Sequence, residues 1–248
     1  MVSGERATLS KIPVMELFGP TIQGEGMVIG RKTMFVRTAG CDYACVWCDS
    51  AFTWNGTEKH RVRMMEPEEV LDEMVALGGN RFNHVTITGG NPALIADPMA
   101  RFIDLCHQRG YRVGLETQGS RMQEWFLQID DLTISPKPPS SRMETDWAVL
   151  DRIVRRLHDD GVNLSLKVVV FGDEDVEYAK TVFARYPYVS QKFVQPGNEL
   201  VTEAKDISHH LLARLAWLFQ VAIDTPEFNT VRVLPQLHAM VWSNERER

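Results

Sequence analysis

Three of the four cysteines in this 248-residue chain fall within one short segment, Cys41-Asp-Tyr-Ala-Cys45-Val-Trp-Cys48, and the fourth, Cys106, stands alone. The spacing is C-x3-C-x2-C. Thiolates bind zinc or iron–sulfur clusters, and four of them ordinarily close such a site. Three hold three irons of a four-iron cluster and leave the fourth iron without a protein ligand, and an open metal position is a mark of chemistry rather than scaffolding. The competing readings are a zinc site completed by Cys106 or a histidine, and buried thiols with no metal. Cys106 shares a helical face with Phe102 and Ile103 and is expected in the core, and the seven histidines contain no H-x3-5-H pair. A second unusual stretch, Gly89-Gly90-Asn91-Pro92, carries two glycines that let backbone approach a ligand where a Cβ would collide.

These segments need elements to position them. Apolar, β-rich runs occur at Val14–Phe18, Thr33–Thr38, His84–Thr88, Arg112–Glu116, Leu132–Ser135, Leu164–Phe171 and Lys192–Gln195. Helical periodicity marks Pro67–Leu77, Asp97–Gln108, Trp147–Asp159, Asp173–Arg185 and Glu203–Phe219, with apolar residues three and four apart, such as Val149, Ile153, Val154 and Leu157. Pro67 suits a first helical turn, and Glu68 and Glu69 favour the dipole there. The alternation predicts an α/β fold with a parallel sheet and helices outside, open or closed into a barrel. The unusual residues all follow β runs: Cys41–Cys48, Gly89–Asn91, Gln118–Gly119, Pro136–Lys137 and Pro196–Asn198. In α/β barrels such loops meet on one rim, at the C-terminal ends of the strands.

Composition narrows the function. The chain is 44% hydrophobic and 24% charged with a formal net charge of −6, so a basic nucleic-acid face is not expected. The stretch Leu211–Ile223 is interrupted by Arg214 and Gln220 and falls short of the roughly 20 residues of a membrane span. Met1–Lys11 has charges and no apolar stretch, so no export signal is expected and the protein is expected in the cytoplasm. One domain over residues 1–248 is expected, with loosely held ends at 1–11 and 244–248.

The cysteine spacing, with Trp47 before the third cysteine and the following glycine pair, resembles the radical S-adenosylmethionine enzymes. Longer segments are similar to the 7-carboxy-7-deazaguanine synthase family within them: Glu16–Gly26, Phe35–Cys41, Cys48–Ser50, Thr86–Gly90, Leu115–Gly119, Ser135–Lys137 and Arg232–His238. The resemblance implies a modified, incomplete radical-SAM (β/α) barrel with a cluster loop and a C-terminal extension. It implies a [4Fe–4S] cluster on Cys41, Cys45 and Cys48, S-adenosylmethionine on the open iron, and Mg²⁺ on Ser50. Asp49 is the rival for the magnesium, since a carboxylate is the harder ligand. The implied reaction is conversion of 6-carboxy-5,6,7,8-tetrahydropterin to 7-carboxy-7-deazaguanine with loss of ammonia, in the route to queuosine. A 5′-deoxyadenosyl radical removes hydrogen from C6 and the ring contracts.

Residue by residue, the resemblance assigns the cofactor rim to Trp47, Gly89, Gly90, Asn91, Ser135, Pro136, Lys137, Gln195, Pro196, Gly197 and Asn198. Asn91 stands where the superfamily commonly has Glu, so only the backbone part of that contact carries over. Ile22, Gln23, Gly24, Glu25, Arg37, Thr88, Glu116 and His238 are assigned to substrate. Arg37 offers a planar fork for the substrate carboxylate. Gln23 and Glu25 supply a mixed donor–acceptor and an acceptor for the 2-amino-4-oxo pyrimidine edge. Glu116 is the candidate acid–base group. The resemblance further implies a homodimer and a flavodoxin or ferredoxin-type reductant. Two rivals remain at this point. A glycyl-radical activating enzyme shares the cysteine spacing but needs no pterin set, and a non-catalytic iron–sulfur electron-transfer protein needs no open iron.

Overall fold

The computed structural model describes residues 11–203 and 206–248, so the expected N-terminal loose end lies, apart from Lys11, outside the described residues. Nine strands form one sheet: β1 (Ile12–Ile22), β2 (Lys32–Thr38), β3 (Arg63–Met65), β4 (His84–Gly89), β5 (Arg112–Thr117), β6 (Asp131–Ile134), β7 (Leu164–Val170), β8 (Gln191–Pro196) and β9 (Arg232–Val233). Among the described residues six α-helices accompany them: α1 (Pro67–Gly78), α2 (Asp97–Gln108), α3 (Trp147–Asp159), α4 (Asp173–Arg185), α5 (Ser208–Asp224) and α6 (Leu237–Trp242).

The strand order is β3-β1-β2-β4-β5-β6-β7-β8-β9. Pairing is parallel from β2 to β9, while β1 runs antiparallel to both β2 and β3. The end strands β3 and β9 do not pair with each other, so the barrel is incomplete. Parallel strands buried on both faces become continuous apolar runs, and β7 is buried over its whole length. Helices α1 to α4 bury one stripe each against the sheet, as Leu150, Ile153, Val154 and Leu157 do in α3. Local signals set their starts: Glu66 and Glu69 form a capping box ahead of α1, and Asp146 accepts from the Val149 N–H at the start of α3. Cys106 is fully buried in α2, in the core as expected.

Strands β3 and β9 and helix α6 carry no expectation from sequence, because three-, two- and six-residue elements show no periodicity of their own. The helix expected over 203–219 begins later and ends later. Asp206 accepts from the Ser208 N–H at its first turn, and Val221 and Ala222 extend its packed stripe; residues 204 and 205 of that range lie outside the described residues. At the other end expected to be loose, 244–248, side chains make contacts with the body of the chain. Asn244 donates to the Leu200 and Glu203 carbonyls, and Arg246 pairs with Glu16 and Glu58. Because β2 and β4 to β9 all run the same way, the loops that follow them open on one edge of the sheet.

Candidate active site

That edge carries a cavity of about 430 Å³. The loop after β2 brings Cys41, Cys45 and Cys48 into its wall, with Cys45 buried and the other two half-buried. Burial pushes all three thiols above their usual range, Cys45 up to about 11, and neighbouring thiols raise Cys41 and Cys45 further. Such a group takes up positive charge readily, because a bound cation offsets the cost of three desolvated thiolates. N–H groups already face the sulfurs: Trp54 Nε1 lies 3.5 Å from Cys48 Sγ, the Tyr43 backbone N–H 3.4 Å from Cys41 Sγ, and Gln118 Nε2 3.7 Å from the same sulfur. Contacts of this kind orient and tune thiolates that carry a cluster. Cys106, a fourth thiol that a zinc site could have used, is buried in α2 and is not in the cavity wall.

The glycine pair closes against this loop. A Cβ on Gly90 would strike the Gly40 carbonyl, so only glycine lets the exit of β4 lie against the residue preceding Cys41. Asn91 is not in the cavity wall. It is fully buried, its Nδ2 donating to Asp42 (2.8 Å) and Ser120 (3.0 Å) and its Oδ1 accepting from Thr117 and Ala93. Asp42 also accepts from Gln118 at 2.7 Å, so Asn91 braces the cysteine loop rather than presenting a side chain to a ligand.

Of the other expected rim residues, Trp47, Gly89, Gly90, Lys137 and Asn198 line the cavity, while Ser135, Pro136, Gln195, Pro196 and Gly197 do not. Ser135 Oγ lies 3.4 Å from Lys137 Nζ, and the Lys137 ammonium lowers the cost of charge on Cys45 and Cys48. Trp47 Nε1 donates to Ser140, and its ring lies against Phe171. Gln195 is wholly buried with neither amide atom partnered.

All eight expected substrate residues line the same cavity: Ile22, Gln23, Gly24, Glu25, Arg37, Thr88, Glu116 and His238. They come from the end of β1, from β2, β4 and β5, and from α6. Gly24 allows the junction with α6, since a Cβ there would overlap the His238 imidazole. The open fork expected of Arg37 is partly committed. Its Nε donates to Glu16 (2.8 Å), which Arg246 grips from its other side, and its Nη1 donates to Ser50 (3.2 Å). Ser50 in turn donates to Asp49 Oδ1 at 2.7 Å, and both residues line the cavity.

Sequence reasoning missed Lys167 and Gln236. Lys167 sits in the middle of buried β7 and donates to Glu25 Oε2 at 2.7 Å, with Glu116 Oε1 at 2.6 Å from the same Nζ. Gln236 Nε2 donates to the other Glu25 oxygen at 2.9 Å. Burial by itself would raise the Glu25 carboxyl, but the Lys167 ammonium, with His238 and Gln236, holds it far below the usual carboxylate range. Burial likewise works against the charge on Lys167, and Glu116 and Glu25 reverse that and hold the ammonium charged. A signal was present: a lone lysine inside the run Leu-Ser-Leu-Lys-Val-Val-Val needs buried counter-charges.

Comparison with known proteins adds to this geometry. Residues 35–184 match the Radical SAM superfamily. The chain is 54% identical to the 7-carboxy-7-deazaguanine synthase of Bacillus cereus, over 96% of this chain and 99% of that one. It is 55% identical to the synthase of Bacillus subtilis, over 95% and 98%. Its fold resembles the crystal structure of QueE from Escherichia coli, with a TM-score of 0.64 at 23% identity, over 94% of this chain and all of that one. The chain belongs to the radical S-adenosylmethionine superfamily and, within it, to the 7-carboxy-7-deazaguanine synthase family.

Proposed function

We propose that the protein converts 6-carboxy-5,6,7,8-tetrahydropterin to 7-carboxy-7-deazaguanine and ammonia. The observation that carries this reading is one cavity lined both by Cys41, Cys45 and Cys48 and by Gln23, Glu25, Arg37, Thr88, Glu116 and His238, in a chain more than half identical to two named synthases over nearly its full length. The superfamily works with a [4Fe–4S] cluster and S-adenosylmethionine, which when bound supply the radical that takes hydrogen from the substrate. The three thiols, with N–H groups facing two of their sulfurs, suit the cluster. The Gly89-Gly90 backbone, Trp47, Lys137 and Asn198 would form the cofactor wall, and Ser135, Pro136, Gln195, Pro196 and Gly197 would support it from behind.

The chain's own residues do the positioning. Glu25 and Glu116 accept from the N–H edge of the pterin, and Gln23 offers both a donor and an acceptor. Arg37, anchored by Glu16, turns its Nη1 edge toward Ser50, where the substrate carboxylate would meet it. Ser50 would hold Mg²⁺ through its hydroxyl oxygen while donating its proton to Asp49, an oxygen pair that suits a hard cation. Glu116, at the end of β5, reaches the cavity, and its candidate part in proton transfer is that of an accepting carboxylate, a base. Held at several points, the reacting carbon is kept near the cofactor and away from the protein.

The wider context follows the family. The reductant would be a flavodoxin or ferredoxin, the setting cytoplasmic, and the assembly a homodimer. Among the described residues no helix is long and apolar enough to cross a membrane. Exposed Leu212, Phe219 and Ile223 follow one another at helical spacing along α5, a stripe suited to a second copy of the chain. Anaerobic turnover of 6-carboxytetrahydropterin by the reconstituted protein, followed for 7-carboxy-7-deazaguanine and ammonia, tests the reading. S-adenosylmethionine cleavage with no pterin-derived product would overturn it.

A further inference from the structure

The Lys167–Glu25–Glu116 group is assembled from three distant parts of the chain, and Lys167 is 142 residues from Glu25. Lys167 is 1% exposed, while the carboxylates it joins retain 17% and 26% of their side-chain exposure. Both carboxylates line the cavity, and so does the lysine. Gln236 takes the second Glu25 oxygen, and His238 is the other ionisable side chain acting on Glu25. One ammonium between two carboxylates leaves a net negative charge facing the cavity. A group built only to stabilise the fold would saturate its carboxylates and bury them, because unpaired buried charge is costly.

We propose that Lys167 is a positioning residue that locks Glu25 and Glu116 into one acceptor-only arrangement, so that the site selects a heterocycle by an edge of N–H donors. The proposal rests on the pterin reading above. Ionised carboxylates accept and never donate, whereas a protonated one carries an O–H. A 2-amino-4-oxo pyrimidine presents its amino group and an adjacent ring N–H on one edge. A carboxylic acid facing that edge would set donor against donor, and the pair would lose a hydrogen bond and gain repulsion. Lys167 therefore acts through Glu25 and Glu116 rather than on the reacting atoms. Its position between them also fixes the separation of the two acceptors.

Lys167→Met and Lys167→Arg test this. With the cluster reconstituted, anaerobic calorimetry reads the affinity for 6-carboxytetrahydropterin without S-adenosylmethionine, between about pH 6 and 8 where ordinary carboxylates are ionised. Lys167→Arg should keep the wild-type pH profile, since a guanidinium also sets a fixed positive charge against both carboxylates. Lys167→Met should bind about 100-fold more weakly, as expected when one partner of a buried charge pair is removed. Its affinity should fall further toward acid than that of wild type, as Glu25, buried without its cation, takes up a proton. Binding by Lys167→Met within threefold of wild type, or an acid-side loss beyond that of wild type in Lys167→Arg as well, overturns the proposal. Should Lys167→Met not fold, the Lys167→Arg profile decides alone, matching wild type in favour and falling below it toward acid against. A wild-type chain that holds its cluster yet binds no pterin at any pH would defeat the functional reading and the proposal with it, an outcome distinct from any difference between variants.

Discussion

The two edges of the sheet handle buried charge in opposite ways. At the N-terminal edge of the parallel strands, Asp131 accepts from Arg112 at 3.1 and 3.2 Å and from Asn163 at 2.9 Å, with His84 and Arg31 within 4 Å. His84 Nδ1 meets Thr33 Oγ1 at 2.9 Å, and Thr33 meets Thr86. None of these residues lines the cavity at the other edge. At the C-terminal edge, Lys167 serves two carboxylates that both keep a face toward it. The first cluster spends its charge on the fold and the second keeps part of it for a ligand. A buried ionic group thus signals function when its partners still look onto open space.

The largest effect should come from the cysteine loop. Cys41→Ala, Cys45→Ala or Cys48→Ala each should abolish turnover and lower bound iron while the protein stays folded, as iron analysis and circular dichroism would record. Turnover surviving any of the three would remove the distinction between a functional and a structural edge. Glu25→Gln comes next. Removing a charged acceptor costs about 2–3 kcal/mol, or roughly 100-fold in kcat/KM, with little change in thermal stability because the amide still accepts from Lys167.

Asp131→Asn should do the reverse. It leaves Arg112 and His84 short of a charged acceptor and should lower unfolding free energy by about 1–3 kcal/mol, with activity per folded molecule unchanged. A pH series sharpens the contrast. Burial holds the His84 imidazole below its usual range, so unfolding takes up a proton and stability falls as pH drops below about 6.5. For Asp131, burial raises the carboxyl but the neighbouring His84 and the charge and hydrogen bonds of Arg112 outweigh it, so the folded value is lowered. Its contribution is present above the unfolded value of about 4 and is lost as pH falls through the folded one. Asp131→Asn should remove that second loss, which denaturant titration at several pH values would show. The smallest effect belongs to Arg246→Ala. Arg246 is partly exposed, and buried Glu16 keeps Arg37 as a partner without it, so the loss in stability should stay near about 1 kcal/mol. Loosening Glu16 should raise KM several-fold through Arg37, with kcat retained.

Much of the fold was legible because its signals are local. Helices α2, α3 and α4 begin and end where periodicity and flanking residues placed them, and the seven expected strands are present within a few residues. Elements too short to repeat a pattern were invisible. In the site, Cys41, Cys45 and Cys48 were legible for the same local reason. For Asn91 only a backbone contact was legible, and the side chain's four hydrogen bonds to Asp42, Ser120, Thr117 and Ala93 were not, because most of those partners lie in separate segments of the chain. Gln236 escaped notice because its partner, Glu25, lies 211 residues away.

From residue order alone came the cysteine spacing, the succession of strands and helices, the rim on which the loops gather, and the resemblance that joins them. These rest on neighbours a few residues apart, where geometry follows from backbone period. The tertiary structure alone decided which charges share a partner: Lys167 between Glu25 and Glu116, Glu16 between Arg37 and Arg246, and Asn91 facing inward. Desolvation makes each buried charge depend on the groups around it, and strand pairing within the sheet brings those groups together from far along the chain.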